Sequence, residues 1–380
     1  MCRLAAITSA EYERPIDLVY SLETMKEGHD GSGIGLLLKD LGGEFKELKA
    51  FPALSGIASP KGIELLDDYM KEIGFKLVHV WSPQITPKPG VKKRGVYFVR
   101  FYDYPDSYLD KPENDSIDLL MKVRLALRRL GENDESIIVF SFYPDVVMLK
   151  EVGDPLEVAE FFSLDKDDRL TAKIILAQGR QNTNYAINLY ACHPFFIQGF
   201  STMTNGENTA FVPIKEFLMS RGFPGYIGYN SDSEVFAHIL HYTVKVLGYP
   251  LVYYKDVVTP LKPEEAEKRP DAEALHLMRY SLRRLCIDGP NCVIGVTPDN
   301  YVFMLQDSKK LRPGVVGGIP GRYGLMSEVC GLDRLIPNRD RSLDIYPMKY
   351  DFIIIPPDAQ TLWHWNQLKG EFVNFAGRLA

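Results

Sequence analysis

Residues 2–8 begin with an unbroken apolar run, Leu4-Ala5-Ala6-Ile7, which reads as a strand buried on both faces, and a polar break follows. Leu18, Leu22 and Met25 then recur at helical spacing. An apolar strand, Leu36-Leu37-Leu38, is entered through the glycine-rich stretch Gly28-His29-Asp30-Gly31-Ser32-Gly33-Ile34-Gly35. Ile63, Leu66, Met70 and Ile73 share one face of a helix that Ser59-Pro60 opens and Gly74 closes. Residues 76–80 and 96–101 read as strands on either side of a proline-rich loop, and residues 116–130 as an amphipathic helix stopped by Gly131. Residues 137–142 and 146–149 predict a hairpin about Pro144-Asp145. Asp154-Pro155 supplies the cap and first turn of a short helix running to Phe162, and residues 174–177 are one more apolar strand.

From residue 179 the pattern turns polar where a core would be apolar. Gly179-Arg180-Gln181-Asn182-Thr183-Asn184, Cys192-His193-Pro194-Phe195 and Met203-Thr204-Asn205-Gly206-Glu207-Asn208 follow one another. By local rules Asn205-Gly206 is a type I′ turn. Ser231-Asp232-Ser233-Glu234 has the form of a capping box, and the helix it starts turns Val235, Ile239, Tyr242 and Val246 inward before stopping at Gly248. A helix over 273–285 is followed by strands at 291–296 and 301–305, which flank the turn Thr297-Pro298-Asp299-Asn300. Shorter strands lie around Val315, Leu325 and Ile353. With no internal repeat and no linker, the chain reads as one domain spanning 1–380.

Composition narrows the class. At 46% hydrophobic and 25% charged over 380 residues, the chain reads as a soluble globular protein with a large core. Its net charge of −6, with Lys92-Lys93-Arg94 as the longest basic run, argues against a nucleic-acid partner. No run of 18 apolar residues is present, so no membrane span is predicted, and Glu11, Glu13 and Asp17 interrupt any signal peptide. Five cysteines (2, 192, 286, 292 and 330) form no CxxC pair, which suits a reduced, cytoplasmic protein. Cys286 and Cys292 read as buried small hydrophobes. His238 and His241 lack the further ligands of a metal set. The glycine-rich stretch has neither the preceding strand nor the following helix of a nucleotide loop, and its alternating glycines point instead to a close approach of backbone, as in the wall of a site. Cys2 gives the chain its sharpest chemistry: once Met1 is removed, one residue carries a thiol and a free α-amine, which titrates near roughly 7.7–8.0.

Cys2, the Gly-His-Asp-Gly-Ser-Gly-Ile stretch, Gly179-Arg180-x-x-Thr183, His193-Pro194-Phe195, Thr204-Asn205-Gly206-Glu207 and Ser231-Asp232-Ser233-Glu234 stand in one order. In that order they resemble the class II glutamine amidotransferases, which are N-terminal-nucleophile hydrolases, and among them the amidotransferase domain of glutamate synthase. An insertion at about 40–175, including residues 69–81, and the late pattern Asp307-x-x-x-Leu311-Arg312-Pro313 with Ser327-Glu328-Val329 extend the resemblance to about residues 2–355. It departs at Glu27, where the family commonly has arginine, and at Met203-Thr204, where alanine-histidine is common.

The resemblance implies an α+β fold, a four-layer αββα sandwich of two antiparallel sheets. It implies hydrolysis of glutamine to glutamate and ammonia through a Cys2 thioester, with the α-amine of Cys2 shuttling the proton. Asn205 (side-chain amide) and Gly206 (backbone N–H) would form the oxyanion hole, Arg180 would hold the α-carboxylate of glutamine with Thr183 nearby, and Asp232 would hold the α-ammonium. No cofactor or metal is expected on this chain. FMN and an iron–sulfur centre are expected on a separate synthase subunit that consumes the ammonia, since these residues hold no cysteine cluster for such a centre. The same residues would serve a related synthase, such as one making N-methylglutamate. A catalytically silent regulatory or structural subunit is the alternative from another class.

Overall fold

Strand β1 (Arg3–Glu13) lies near the middle of a six-stranded sheet, in a computed structural model that describes residues 2–25, 30–182, 187–222 and 231–373. The order across this sheet is β13 (Val315–Ile319), β14 (Arg322–Met326), β1, β8 (Ala172–Gly179), β2 (Ile34–Leu41) and β7 (Val146–Glu151). Residues 3–9 of β1 are buried on both faces, which is why that stretch shows no alternation in sequence. β1 and its polar break differ from expectation in one respect: the strand continues through the polar residues to Glu13.

A second sheet carries seven strands in the order β17 (Glu371–Phe372), β16 (Trp363–Asn366), β15 (Asp351–Ile355), β12 (Val302–Gln306), β11 (Asn291–Val296), β10 (Phe200–Gly206) and β9 (Phe195–Ile197). A third, four-stranded sheet runs β4 (Lys76–Trp81), β5 (Val96–Asp103), β3 (Pro52–Ala58) and β6 (Ile137–Pro144). Every strand pair among the described residues is antiparallel. The result is a mixed α/β fold.

Side-chain alternation distributes the second sheet between two cores. Met203, Ile294, Met304 and Ile353 pack with Leu4, Ile7, Leu36 and Leu176 of the first sheet. Their neighbours Val293, Phe303, Leu305, Phe352 and Ile354 pack instead with the helices Glu234–His241, Val252–Val258 and Ala272–Leu282. The helices Pro15–Thr24 and Val329–Leu335 pack together and against β8 and β14. The third sheet has its own core, shared with Leu66 and Met70 of the helix Pro60–Glu72 and with Leu120, Val123 and Leu127 of Glu113–Leu130.

Five local expectations are corrected. Residues 137–149 are not a hairpin: β6 pairs with β3 in the third sheet, and β7 pairs with β2 in the first. The chain changes sheets at Asp145, where φ is 55° and the carboxylate accepts the Leu41 N–H at 2.7 Å. Asn205-Gly206 is not a turn but the end of β10, opposite Cys292 and Asn291. The capping box at 231–234 is replaced by a helix that begins at Glu234 with Ser233 at its N-cap and no side-chain cap bond; the Ser231 hydroxyl accepts the Ser233 N–H at 3.2 Å. Val246 points outward, 54% exposed, because the helix widens into a π turn over Tyr242–Val246, while Val235, Ile239 and Tyr242 are buried as expected. Cys292 is fully buried, whereas Cys286 is only half-buried. No helix among the described residues is long and apolar enough to cross a membrane.

Candidate active site

The register of β1 against β8 sets Arg3 opposite Gly179, so Cys2 falls beside the residues that leave β8, Arg180 and Gln181. The Cys2 thiol touches both backbone groups of Gln181, donating to its carbonyl at 3.6 Å and accepting its N–H at 3.5 Å. Behind it, the late sequence signature holds the strand end. Leu4 and Ser327 exchange two hydrogen bonds (Leu4 N–H to Ser327 Oγ at 3.1 Å, Ser327 N–H to Leu4 O at 2.9 Å), and Arg3 forms an ion pair with Glu328 at 2.7 Å. Nothing in the sequence pattern connects Ser327-Glu328 with the N-terminus; only the pairing of β14 with β1 does.

The described part of the glycine-rich stretch packs behind the cleft residues Arg180 and His193. The Arg180 N–H donates to Gly33 O at 2.8 Å. A Cβ on Gly33 would lie 2.4 Å from Cys192 Sγ, and one on Gly35 would lie 1.6 Å from His193 O. The alternating glycines therefore let Cys192-His193 approach the backbone of β2. Gly28 and His29, like Glu27 and Thr183, lie outside the described residues.

Cys2, Arg180, His193, Gly206 and Asp232 line a single cleft of about 120 Å³. That is room for a small polar molecule, several times the space one water requires. Arg180 is 6% exposed; one terminal nitrogen, Nη2, donates to Asn182 Oδ1 at 3.0 Å, and the other, Nη1, is buried with no hydrogen-bond partner among the described residues. Asp232 sits at the opposite side of the sequence motif set, just before the helix Glu234–His241, and its Oδ2 accepts the Asn208 N–H at 2.6 Å. Burial raises its carboxyl pKa, against the lowering effect of that N–H and of Ser233. Asn205, between Thr204 and Gly206 at the end of β10, is not among the residues that line the cleft; it is 1% exposed, and its Nδ2 is buried with no partner among the described residues. Gly206 must be glycine for a reason internal to the sheet: a Cβ there would lie 1.9 Å from Pro290 O.

The electrostatics constrain the proton chemistry. Burial pushes the Cys2 thiol pKa up, opposed by the Gln181 backbone bond and the Arg180 charge, so the sulfur carries its proton at neutral pH and needs a base to react. A histidine in the same cleft invites a thiol–imidazole pair, but His193 cannot accept that proton. Its Nδ1 accepts the Thr204 backbone N–H at 3.0 Å and faces the Gln178 amide nitrogen at 2.9 Å. The Gln178 amide is itself oriented by the His193 N–H on its oxygen (3.2 Å) and by Thr204 O on its nitrogen (3.0 Å). Nε2 therefore holds the ring proton, and burial beside the Lys150 and Arg180 charges keeps the imidazole neutral, its pKa well below the usual value.

His238 and His241 are buried in their helix away from this cleft, and no group of three metal-ligating residues occurs among the described residues. Asp307 organises its own loop, accepting the N–H groups of Asn291, Lys309 and Leu311 at 3.0, 2.7 and 3.1 Å.

No protein-family model matches the chain, and no curated protein matches it. Among solved structures, it is similar to the allosteric regulatory enzyme of purine biosynthesis, with a TM-score of 0.50 and 13% identity over 96% of this chain and 49% of that one. It also aligns with glutamine phosphoribosylpyrophosphate amidotransferase from B. subtilis complexed with ADP and GMP (TM-score 0.49, 13% identity, 98% of this chain and 50% of that one). A glutamine aminotransferase class-II domain protein from Silicibacter pomeroyi aligns over 56% of this chain and 80% of its own, with a TM-score of 0.31 and 13% identity. At these identities the likeness concerns the fold. The chain spans about half the length of the first two structures it matches.

Proposed function

We propose that this chain is a glutamine amidotransferase of the N-terminal-nucleophile kind, with the stacked sheets and their outer helices forming a four-layer αββα sandwich. In this reading the whole of 1–380 is one amidotransferase domain, and the sheet built from β3 to β6 belongs to the insertion. Removal of Met1 frees the α-amine of Cys2. The amine takes the thiol proton as sulfur attacks the carboxamide carbon of glutamine, and returns it to the departing nitrogen, which leaves as ammonia. Water then cleaves the thioester to glutamate and restores the thiol.

The observation that carries this reading is a pair of buried donors, one on Arg180 in the cleft with Cys2 and one on Asn205, between the cleft residues Thr204 and Gly206. A buried donor without a partner costs about 1–3 kcal/mol, and a charged one more. Among the described residues Arg180 Nη1 and Asn205 Nδ2 both have none, and they come from residues 25 apart in sequence. Substrate oxygens would satisfy both: the α-carboxylate at Arg180 and the developing oxyanion at Asn205. Asp232, whose Oδ1 lies 3.4 and 3.5 Å from the Ser233 and Ser231 hydroxyls, is suited to the α-ammonium. Arg180→Lys keeps the charge but loses the planar fork, and Asp232→Asn keeps the shape but loses the charge. Each is expected to raise KM for glutamine about tenfold or more with kcat changed by less than threefold. Steady-state ammonia release checks this, and equal losses in kcat at unchanged KM would remove the assignment.

The finer reading is that the ammonia goes to a glutamate-synthase-type partner carrying FMN and an iron–sulfur centre, and it rests on the sequence resemblance. A partner that binds the competent form of this chain more tightly would raise its glutaminase rate; a tenfold activation needs about 1.4 kcal/mol of differential affinity. Pull-down from the native host is expected to recover a flavoprotein that stimulates ammonia release at least tenfold. Full activity of the isolated chain with no flavoprotein recovered would leave other synthases, including an N-methylglutamate synthase, as the acceptor. In a silent regulatory subunit the meeting of Cys2, Arg180, Gly206 and Asp232 in one cleft would have no catalytic use.

A further inference from the structure

His193 is held more completely than packing requires. Its backbone N–H donates to Gln178 Oε1, and its Nδ1 receives Thr204 N–H and faces Gln178 Nε2. Gln178 belongs to β8 and Thr204 to β10, so the ring bridges the two large sheets at the floor of the cleft. Both ring contacts use Nδ1 of the imidazole. The opposite nitrogen, Nε2, takes part in neither of these ring contacts, and the residue, 4% exposed, lines the cleft.

We propose that His193 is a fixed, uncharged N–H donor to the oxygen of the reacting carboxamide, a third donor beside Asn205 and Gly206. The assignment rests on the amidotransferase reading above. Its place at the carboxamide end follows from the chain: the residue His193 grips, Thr204, immediately precedes Asn205 and Gly206 on β10, whereas Arg180 marks the other end of the substrate. A neutral donor suits this position. An imidazolium would repel the Arg180 and Lys150 charges that face it, and would compete with the amine for its role as proton carrier. A locked tautomer needs no rearrangement as charge grows on the oxygen, which is the condition for an effective oxyanion donor.

Two experiments on the processed, full-length protein test this. The chain has seven histidines, so the imidazole nitrogens can be assigned by long-range proton–nitrogen correlation. His193 is expected as the Nε2–H tautomer, without titration from about pH 5.5 to 8.5, and its Nε2–H proton is expected to shift downfield when a diazoketone analogue of glutamine alkylates Cys2. An Nδ1–H tautomer, or a titration in that range, overturns the proposal. In the second experiment, His193→Leu is expected to lower kcat about ten- to a hundredfold with KM within twofold, while His193→Gln, which can both accept from Thr204 and donate, stays within about fivefold of wild type. Alkylation of Cys2 by iodoacetamide, which develops no oxyanion, should proceed alike in all three. Wild-type turnover with an unchanged Leu variant overturns this inference alone. A processed wild-type protein that releases no ammonia from glutamine and resists the diazoketone overturns the amidotransferase reading and this inference with it.

Discussion

Cys2→Ser is expected to abolish ammonia release from glutamine, with a loss on the order of 10³-fold or more in kcat. A hydroxyl at this position retains the contacts with the Gln181 backbone, so the variant should fold and bind glutamine with a Kd within about threefold of wild type, since Arg180 and Asp232 are untouched. What it loses is nucleophilicity. The α-amine is a weak base, titrating near roughly 7.7–8.0, and is matched to a thiol far better than to an alcohol. The pH dependence follows with a definite sign. The amine must be neutral to accept the thiol proton, so kcat should rise with pH through the amine's titration. A second measurement separates the amine from the thiol. Protein that retains Met1 has an amide nitrogen in place of the base and should be inactive although its thiol is intact; intact mass identifies the species. Full activity in either Cys2→Ser or the Met1-retaining form would show that the nucleophile lies elsewhere.

Different parts of the molecule were legible in the sequence to different degrees, and the difference is one of range. The hairpin of β11 and β12 was legible because Thr297-Pro298-Asp299-Asn300 and its flanking strands are one local unit, and the structure pairs them, Val293 opposite Leu305. Residues 137–149 offered the same local signal and gave a different result. Both segments are buried on both faces, so neither shows an alternation that would reveal its partner. β7 instead joins β2, with Leu36 opposite Leu149, more than a hundred residues away in the chain. Asn205-Gly206 was misleading in the same way. Its turn propensity is overridden by pairing with β11, and the glycine is required by the carbonyl of Pro290. The widened turn that exposes Val246 breaks the helical period that placed it inward.

Candidate chemistry was legible through the order of short motifs, not through any one spacing. Cys2, Arg180, Gly206 and Asp232 are spread over more than half the chain and meet in one cleft. His193 was visible as part of a motif, but its protonation state was not, because it is set by Gln178 and Thr204 on two different strands. The alternating glycines correctly signalled a close backbone approach; the group that approaches, Cys192-His193, could only be found in three dimensions. The Ser327-Glu328 clamp behind Cys2 is a further case, since its partners are Leu4 and Arg3 at the other end of the chain.

Asn205→Ala is expected to lower kcat by about 10²–10³-fold, or about 2.7–4 kcal/mol of transition-state stabilisation, with KM for glutamine within about threefold. The argument starts from what the side chain lacks. Nδ2 is buried on a residue 1% exposed and has no hydrogen-bond partner among the described residues, so its removal breaks no bond to them and strands none of their acceptors. A side chain with a structural role would show the reverse: deletion would cost stability, and kcat, KM and thermal midpoint would worsen together. Here the desolvation cost of the amide is already borne in the free protein and is recovered only when an acceptor arrives. If that acceptor were the ground-state carboxamide, KM would rise; because the oxygen gains its charge only as sulfur adds, the recovery is greatest in the transition state, and the loss falls on kcat. Asn205→Asp sharpens the distinction. It preserves shape while replacing the donor by an acceptor facing a developing negative charge, so it should be slower than the alanine variant, and slowest above the pKa of the new carboxyl. Thermal melts alongside steady-state kinetics would decide the matter: an alanine variant with a clearly lowered midpoint and a proportionate rise in KM would make Asn205 part of the scaffold and leave the oxyanion to other donors.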